Sequence, residues 1–163
     1  MKTAVVYFSL GGNTGYAAVR TAQEIGADCF PLIPVKAYPD KGFKKFLRGG
    51  KSAAMKEAPD LQPYGFRAED YERIVLCSPV WASTFAPPLR TFLMENDLRG
   101  KQIAVIACSS GGNAVKCIDG LRKEAKADAL CASVSLVDPK SRPSDKNESL
   151  LAEFIEELNR QTD

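Results

Sequence analysis

The 163-residue chain contains no histidine, and this absence removes two common kinds of site. Imidazole acid–base catalysis and metal ligation by histidine are both excluded. An excess of charge of one sign is lacking too, because 22 Lys and Arg against 20 Asp and Glu leave a formal net charge of +2. So small a positive excess does not indicate a nucleic-acid-binding surface.

Long apolar runs are also missing. No stretch of the sequence approaches the roughly 18 consecutive apolar residues of a membrane span. Residues 1–3 lead directly into an apolar strand, without the apolar region and cleavage site of a secretory leader. We therefore expect a cytoplasmic protein that makes no contact with a membrane.

The five cysteines are odd in number and form no C-x-x-C pair. Three of them, Cys77, Cys108 and Cys131, lie in apolar segments that we interpret as strands. Buried, reduced thiols are the expected state of such cysteines in a cytoplasmic protein. We predict no disulfide framework and no metal site.

Apolar segments alternate with amphipathic helical patterns along the chain, as in an α/β protein. Strands are predicted near residues 3–9, 28–32, 73–78, 102–108 and 130–137. The first, third and fourth are continuously apolar, which is typical of parallel strands covered on both faces. We predict one domain over residues 1–163, a doubly wound five-stranded parallel sheet of order 2-1-3-4-5 with helices on both faces.

One region, between about residues 36 and 64, interrupts this alternation, and we interpret it as an insertion in the domain. Its first part carries one acidic residue, Asp40, and seven basic ones: Lys36, Lys41, Lys44, Lys45, Arg48, Lys51 and Lys56. Two interpretations remain open. The region is either a solvated basic face or a landing site for an acidic partner or a phosphorylated substrate.

The turn after the first strand carries the most informative pattern in the chain. It leads straight into a helix and is rich in glycine and hydroxyl residues: Ser9, Leu10, Gly11, Gly12, Asn13 and Thr14. The first N–H groups of a helix have no partner within the helix, and the helix dipole adds partial positive charge there. We therefore predict an anion site, to which Ser9, Asn13 and Thr14 add side-chain donors. Because the turn contains no Lys or Arg, neutral donors would hold a phosphate here.

Two commoner explanations of glycine-rich turns fail on spacing. A dinucleotide-binding G-x-G-x-x-G pattern would need glycine at position 10, which is leucine. The tripeptide at residues 50–52, Gly-Lys-Ser, resembles the end of a Walker A loop, but position 45 is lysine where that motif requires glycine. We therefore expect neither ATP binding nor dinucleotide binding of the usual kind.

Two further loops follow the third and fourth strands, and the predicted strand order brings them to one crevice with the first turn. The earlier loop contains the sole tryptophan: Ser78, Pro79, Val80, Trp81, Ala82, Ser83 and Thr84. The later loop consists of Ser109, Ser110, Gly111, Gly112 and Asn113. An indole beyond a strand end can stack on a flat aromatic ligand. The alternative is that Trp81 packs under the loop as part of the core.

Together the three loops resemble those of the flavodoxin family. Residues 9–14 are similar to its S-x-T-G-N-T phosphate loop, with Gly11 in place of the usual threonine. Residues 78–92 resemble the P-[VI]-W region of small flavodoxin-like FMN proteins, and residues 109–113 resemble their second isoalloxazine loop. The resemblance implies a flavodoxin-like fold and bound FMN, with the phosphate on residues 9–14 and the ring between Trp81 and residues 109–113. Catalysis would be the cofactor's own, with no catalytic side chain.

Three functions remain open on these grounds. An electron-transfer flavoprotein would dock a redox partner protein, and the resemblance favours this function. An NAD(P)H-dependent FMN oxidoreductase would reduce a quinone or similar small acceptor over an open flavin face, since residues 109–113 include no aromatic side chain to cover it. A domain without flavin would serve as an interaction module. The sequence does not indicate an oligomeric state.

Overall fold

A computed structural model describes residues 1–38, 57–111 and 113–162 of the chain. Along these residues six strands and four α-helices form, in the order β1 (Thr3–Tyr7), α1 (Asn13–Ile25), β2 (Asp28–Pro31), β3 (Arg73–Trp81), β4 (Thr84–Phe85), α2 (Pro87–Glu95), β5 (Gln102–Ser109), α3 (Val115–Glu124), β6 (Ala132–Val137) and α4 (Asp145–Arg160). A 3₁₀ turn at Ala68–Asp70 precedes β3.

The sheet has the predicted order. Strands β2, β1, β3, β5 and β6 are neighbours in that sequence, and every pair among them runs parallel. Val6, Leu76 and Val105 therefore lie side by side across the three central strands. The short strand β4 was not expected, and it pairs antiparallel with the end of β3.

Both faces of the sheet are covered, which explains why its central strands are continuously apolar. Val6 and Leu76 face a core shared with α2 and α3. Their neighbours Val5 and Val75 face a second core shared with α1 and α4. Successive residues of a strand point to opposite faces, so each central strand must be apolar at every position.

The two ends of the predicted insertion, near residues 34 and 61, lie side by side. Pro34 and Leu61 form an antiparallel bridge, flanked by hydrogen bonds from Val35 N–H to Asp60 O and from Gln62 N–H to Ile33 O, both 2.8 Å. Residues 39–56, which hold most of the basic side chains, lie outside the described residues. The two interpretations of this charge therefore both remain predictions.

The cysteines largely have the expected surroundings. Cys77, Cys108 and Cys117 are buried free thiols, and Cys29 and Cys131 are partly buried. Cys131 differs from its predicted position, because it precedes β6 and so lacks full cover from the sheet. No helix within the described residues has the length and apolar character needed to cross a membrane.

Candidate functional site

The three predicted loops meet at the carboxyl edge of the sheet, around a cavity of about 150 Å³. We call this cavity the crevice and residues 9–14 the anion turn. The crevice is lined by residues of all three loops and by one residue beyond β6: Ser9, Leu10, Gly11, Asn13, Thr14, Pro79, Val80, Trp81, Cys108, Ser109, Ser110 and Asp138. Most of the residues predicted to bind a ligand are therefore brought together.

The other predicted residues that the structure describes belong to the loops around the crevice. The buried Ser78 hydroxyl donates to Pro79 O and accepts from Ala86 N–H, each at 2.9 Å, which holds the end of β3 against the start of α2. Asn113 Oδ1 accepts from Val115 N–H at 2.8 Å at the start of α3. Gly111 adopts a positive φ of 122°, and Gly112 lies outside the described residues.

The anion turn has the backbone geometry expected at a helix start. Gly12 is the N-cap residue with a left-handed φ of 90°, and the first helical hydrogen bond runs from Tyr16 N–H to Gly12 O at 2.9 Å. The N–H groups of residues 13–15 therefore have no acceptor within the helix. The first turn of α1 also contains no acidic residue. The helix start is thus suited to a bound anion.

Ser9 gives a second indication of an anion at this place. Its hydroxyl oxygen is buried and has no hydrogen-bond partner among the residues that the structure describes. A buried hydroxyl without a partner is unfavourable by about 1–3 kcal/mol. A phosphate oxygen in the anion turn would accept from this hydroxyl, so the residues present fit the phosphate of the cofactor that the sequence suggests.

Thr14 and Cys108 meet at the base of the crevice. Burial raises the pKa of the Cys108 thiol to about 12, and a hydrogen bond with the Thr14 side chain opposes that rise. The thiol is therefore protonated at neutral pH and cannot act as a nucleophile. Thr14 is only 2% exposed, so its hydroxyl is less available to a ligand than the sequence suggested.

The Asn13 side chain makes contacts other than the one predicted. Its Nδ2 donates to Asp138 Oδ1 at 3.3 Å and to Ser141 Oγ at 3.2 Å. Its Oδ1 accepts from the backbone N–H groups of Lys140 and Ser141, at 2.9 and 3.0 Å. Both amide donors are thus engaged within the protein, and Asn13 offers a ligand its backbone N–H instead of its side chain.

The segment that Asn13 holds, residues 138–144, is a fourth loop that the sequence analysis missed. We call it the bridging loop. Within this loop, Arg142 donates to Asp138 Oδ2 at 2.5 Å and to Ser110 O at 2.8 Å. The bridging loop therefore contacts the loop after β5 as well as the anion turn. The predicted strand order carried the signal, because the carboxyl end of the fifth parallel strand must lie at the same edge of the sheet as the carboxyl ends of the other four.

The bridging loop also brings a charged side chain close to the neutral donors that the sequence predicted. Lys140 extends over Gly12, and its Nζ lies 3.0 Å from the point that a Cβ on residue 12 would occupy. A cation from a distant part of the chain therefore lies beside the anion turn. No local motif could have shown this, since the two residues are far apart in sequence.

Trp81 lies at the floor of the crevice and is 2% exposed. Its indole packs nearly perpendicular to the rings of Phe8 and Tyr38, with ring centroids 5.4 and 5.3 Å away. This packing matches the alternative in which the tryptophan belongs to the core. Stacking on a flat ligand stays a prediction.

The end of β3 continues into a hairpin where the sequence suggested a loop. Ala82 and Ser83 connect β3 to β4 with positive φ values of 45° and 67°. Two left-handed residues in a two-residue hairpin normally require Gly, Asn or Asp. Since neither Ala nor Ser is such a residue, the sequence contains no hairpin signal, and the backbone beside the crevice is strained.

Ala82→Gly is therefore expected to stabilise the protein, by about 1 kcal/mol, because glycine adopts the left-handed conformation without a Cβ clash. The free energy of unfolding from urea titration measures the change. Ala129→Gly is the matched control, since Ala129 is exposed and not among the described residues with positive φ. It should reduce stability slightly, and an equal loss in both variants would show that Ala82 is not strained.

Comparison with known proteins agrees with this architecture. A family model described as Flavodoxin matches residues 2–157. No curated protein sequence matches the chain. A candidate flavoprotein from Bacteroides uniformis is 21% identical, with a TM-score of 0.76 over 93% of this chain and 96% of its own. A candidate flavoprotein from Bacteroides eggerthii is 22% identical, with a TM-score of 0.74 over 94% of this chain and 97% of its own.

A third structure was solved with its cofactor. It is a flavoprotein in complex with FMN from Lactobacillus acidophilus, 19% identical, with a TM-score of 0.69 over 94% of this chain and 97% of its own. At such low sequence identities the structural similarity is evidence for the fold alone. The family model covers nearly the whole chain, and together with the sheet order and the three converging loops it shows that this chain belongs to the flavodoxin family.

Proposed function

We propose that the chain binds FMN in the crevice and carries electrons between protein partners. The observation that carries the proposal is the anion turn, where the first N–H groups of α1 have no acceptor within the helix and the Ser9 hydroxyl has no partner among the described residues. The crevice is also lined by the apolar Pro79, Val80 and Trp81. A ligand that matches this arrangement has an anionic end and a flat, largely apolar end. FMN, found in the Lactobacillus acidophilus flavoprotein, has both.

The phosphate end would be held by the N–H groups at the start of α1 and by Ser9 Oγ. A helix N-terminus contributes about 0.3–1 kcal/mol to such an anion, and up to about 2 kcal/mol in a partly buried site. Submicromolar affinity corresponds to more than about 8 kcal/mol. Burial and hydrogen bonding of the rest of the ligand must therefore supply most of the binding free energy.

The ring end would lie among the partly buried Pro79 and Val80 and the residues after β5. These apolar and backbone groups exclude water from one side of the ring and offer N–H and C=O groups to its polar edge. Ser110 and Gly111 are exposed. The described part of the loop after β5 therefore leaves an approach to the ring for a redox partner.

The chemistry of the lining residues supports a cofactor-based function. Among the described residues, the crevice lining contains two titratable side chains. Cys108 is protonated at neutral pH, and Asp138 is paired with Arg142. Neither is suited to act as a nucleophile or as a general base. Bound FMN would supply reversible electron transfer, while the protein binds it, orients it and limits the access of water.

The experiment is flavin titration followed by anaerobic photoreduction. The purified protein should bind FMN with quenching of flavin fluorescence, and reduction in steps should pass through a stable one-electron stage in the visible spectrum. Direct two-electron reduction together with rapid NAD(P)H oxidation would replace the carrier function by that of an oxidoreductase. A colourless protein that takes up no FMN would defeat both and leave an interaction module.

A further inference from the structure

The bridging loop is fixed at both of its ends and in its middle. Asn147, 5% exposed on α4, donates from Nδ2 to Val137 O at 2.7 Å and accepts at Oδ1 from Val137 N–H at 3.0 Å. Asn13 accepts from the N–H groups of Lys140 and Ser141. Arg142 donates to Ser110 O. The backbone of Lys140 is therefore held against the anion turn.

The side chain of Lys140 lies across the turn. Its Nζ and Cδ are 3.0 and 3.2 Å from the point where a Cβ on Gly12 would lie. Glycine at this position leaves room for the lysine as well as permitting the left-handed backbone. The ammonium group thus lies beside Gly12, the N-cap residue of α1, in a neighbouring cavity that shares Ser9 and Leu10 with the crevice.

Among the described residues, no acidic side chain forms an ion pair with Lys140, whereas Arg142 and Arg20 both have such partners. Arg142 is paired with Asp138, and Arg20 is paired with Glu24 and Glu148. None of the carboxylates in the described part of the chain lies within 4.0 Å of Lys140 Nζ. One positive charge therefore remains available to a ligand at the anion turn.

We infer that Lys140 binds the phosphate group of the flavin and makes the site select FMN over riboflavin, with Asn13 positioning the lysine. The inference rests on the proposed function. Riboflavin has the same ring and ribityl chain as FMN but no phosphate, so it gains nothing from this cation. A charge-assisted contact of this kind corresponds to about a tenfold difference in affinity.

Fluorescence titration of the full-length protein with FMN and with riboflavin tests the inference. Lys140→Gln should weaken FMN binding about tenfold, leave riboflavin affinity unchanged and flatten the salt dependence of FMN binding. Lys126→Gln is the matched control. It makes the same change of charge near the start of β5, at the opposite end of the sheet, and should alter neither affinity.

Asn13→Ala tests the positioning role. It should also reduce FMN affinity without changing riboflavin affinity, and in the Lys140→Gln background it should cause little further loss. A purely structural residue would instead weaken the binding of both flavins by the same factor, in either background. Circular dichroism of each variant confirms that the fold is retained.

Each outcome decides the inference. Selective loss of FMN affinity in Lys140→Gln supports it. Wild-type affinity for FMN in Lys140→Gln, or an equal loss for both flavins, overturns it while leaving FMN binding by this chain intact. If the wild-type protein binds neither flavin, the proposed function fails and the inference fails with it.

Discussion

Trp81→Ala is expected to lower the free energy of unfolding by about 3–5 kcal/mol and to weaken flavin binding as well. The indole is 2% exposed, and its edge-to-face contacts with Phe8 and Tyr38 would be lost together with the volume that it fills. The same substitution removes part of the crevice floor. Urea unfolding of the protein without flavin measures the first effect, and fluorescence titration with FMN measures the second.

Two further variants separate these effects. Phe92→Ala removes a buried ring from α2 that does not line the crevice, so it should destabilise the protein comparably and leave the affinity of the folded protein for FMN unchanged. Trp81→Phe keeps an aromatic side chain and should restore most of the stability. If Trp81→Ala binds FMN as tightly as the wild-type protein, then Trp81 serves only as a core residue.

Gly12→Ala is expected to reduce FMN affinity at least about tenfold and to reduce stability by about 1–2 kcal/mol. Residue 12 has a φ of 90°, which an alanine adopts only with strain, and its Cβ would lie 3.0 Å from Lys140 Nζ. Relief of that contact displaces either the lysine or the start of α1. Both displacements disturb the group of donors that would bind the phosphate.

The adjacent glycine provides a matched control for this prediction. A Cβ on Gly11 would meet nothing within 4 Å among the described residues, and its φ is not in the left-handed region. Gly11→Ala should therefore leave stability nearly unchanged and reduce FMN affinity less than Gly12→Ala does. Equal affinities for FMN in Gly11→Ala and Gly12→Ala would show that the conformation at residue 12 does not matter for phosphate binding.

The parts of the fold that the sequence predicted correctly depend on local or repetitive signals. β1, the anion turn and α1 follow one another directly, so their residue types reveal them without knowledge of distant contacts. Continuous apolar character in β3 and β5 indicates burial on both faces, which requires a parallel sheet covered by helices. The strand order then implies that the loops following these strands share one edge.

The errors arise where a distant contact changes the role of a residue. Ala82 and Ser83 form a hairpin without a turn residue, because pairing of β4 with the end of β3 outweighs their local preference. Asn13 is a standard residue for a helix start, but its amide is taken up by Asp138 and by the bridging loop. Such competition between partners cannot be derived from the turn alone.

An anion turn at the start of a helix, a doubly wound sheet and a likeness to flavodoxins can all be recognised from the residues in order. They depend on backbone N–H groups, hydrophobic periodicity and the spacing of glycines. The surroundings of that turn depend instead on which distant segments fold against it. The tertiary structure makes Trp81 a core residue and commits the Asn13 side chain to the bridging loop. It also brings Lys140 to a turn that contains no basic residue, because parallel strands bring all their carboxyl ends to one edge.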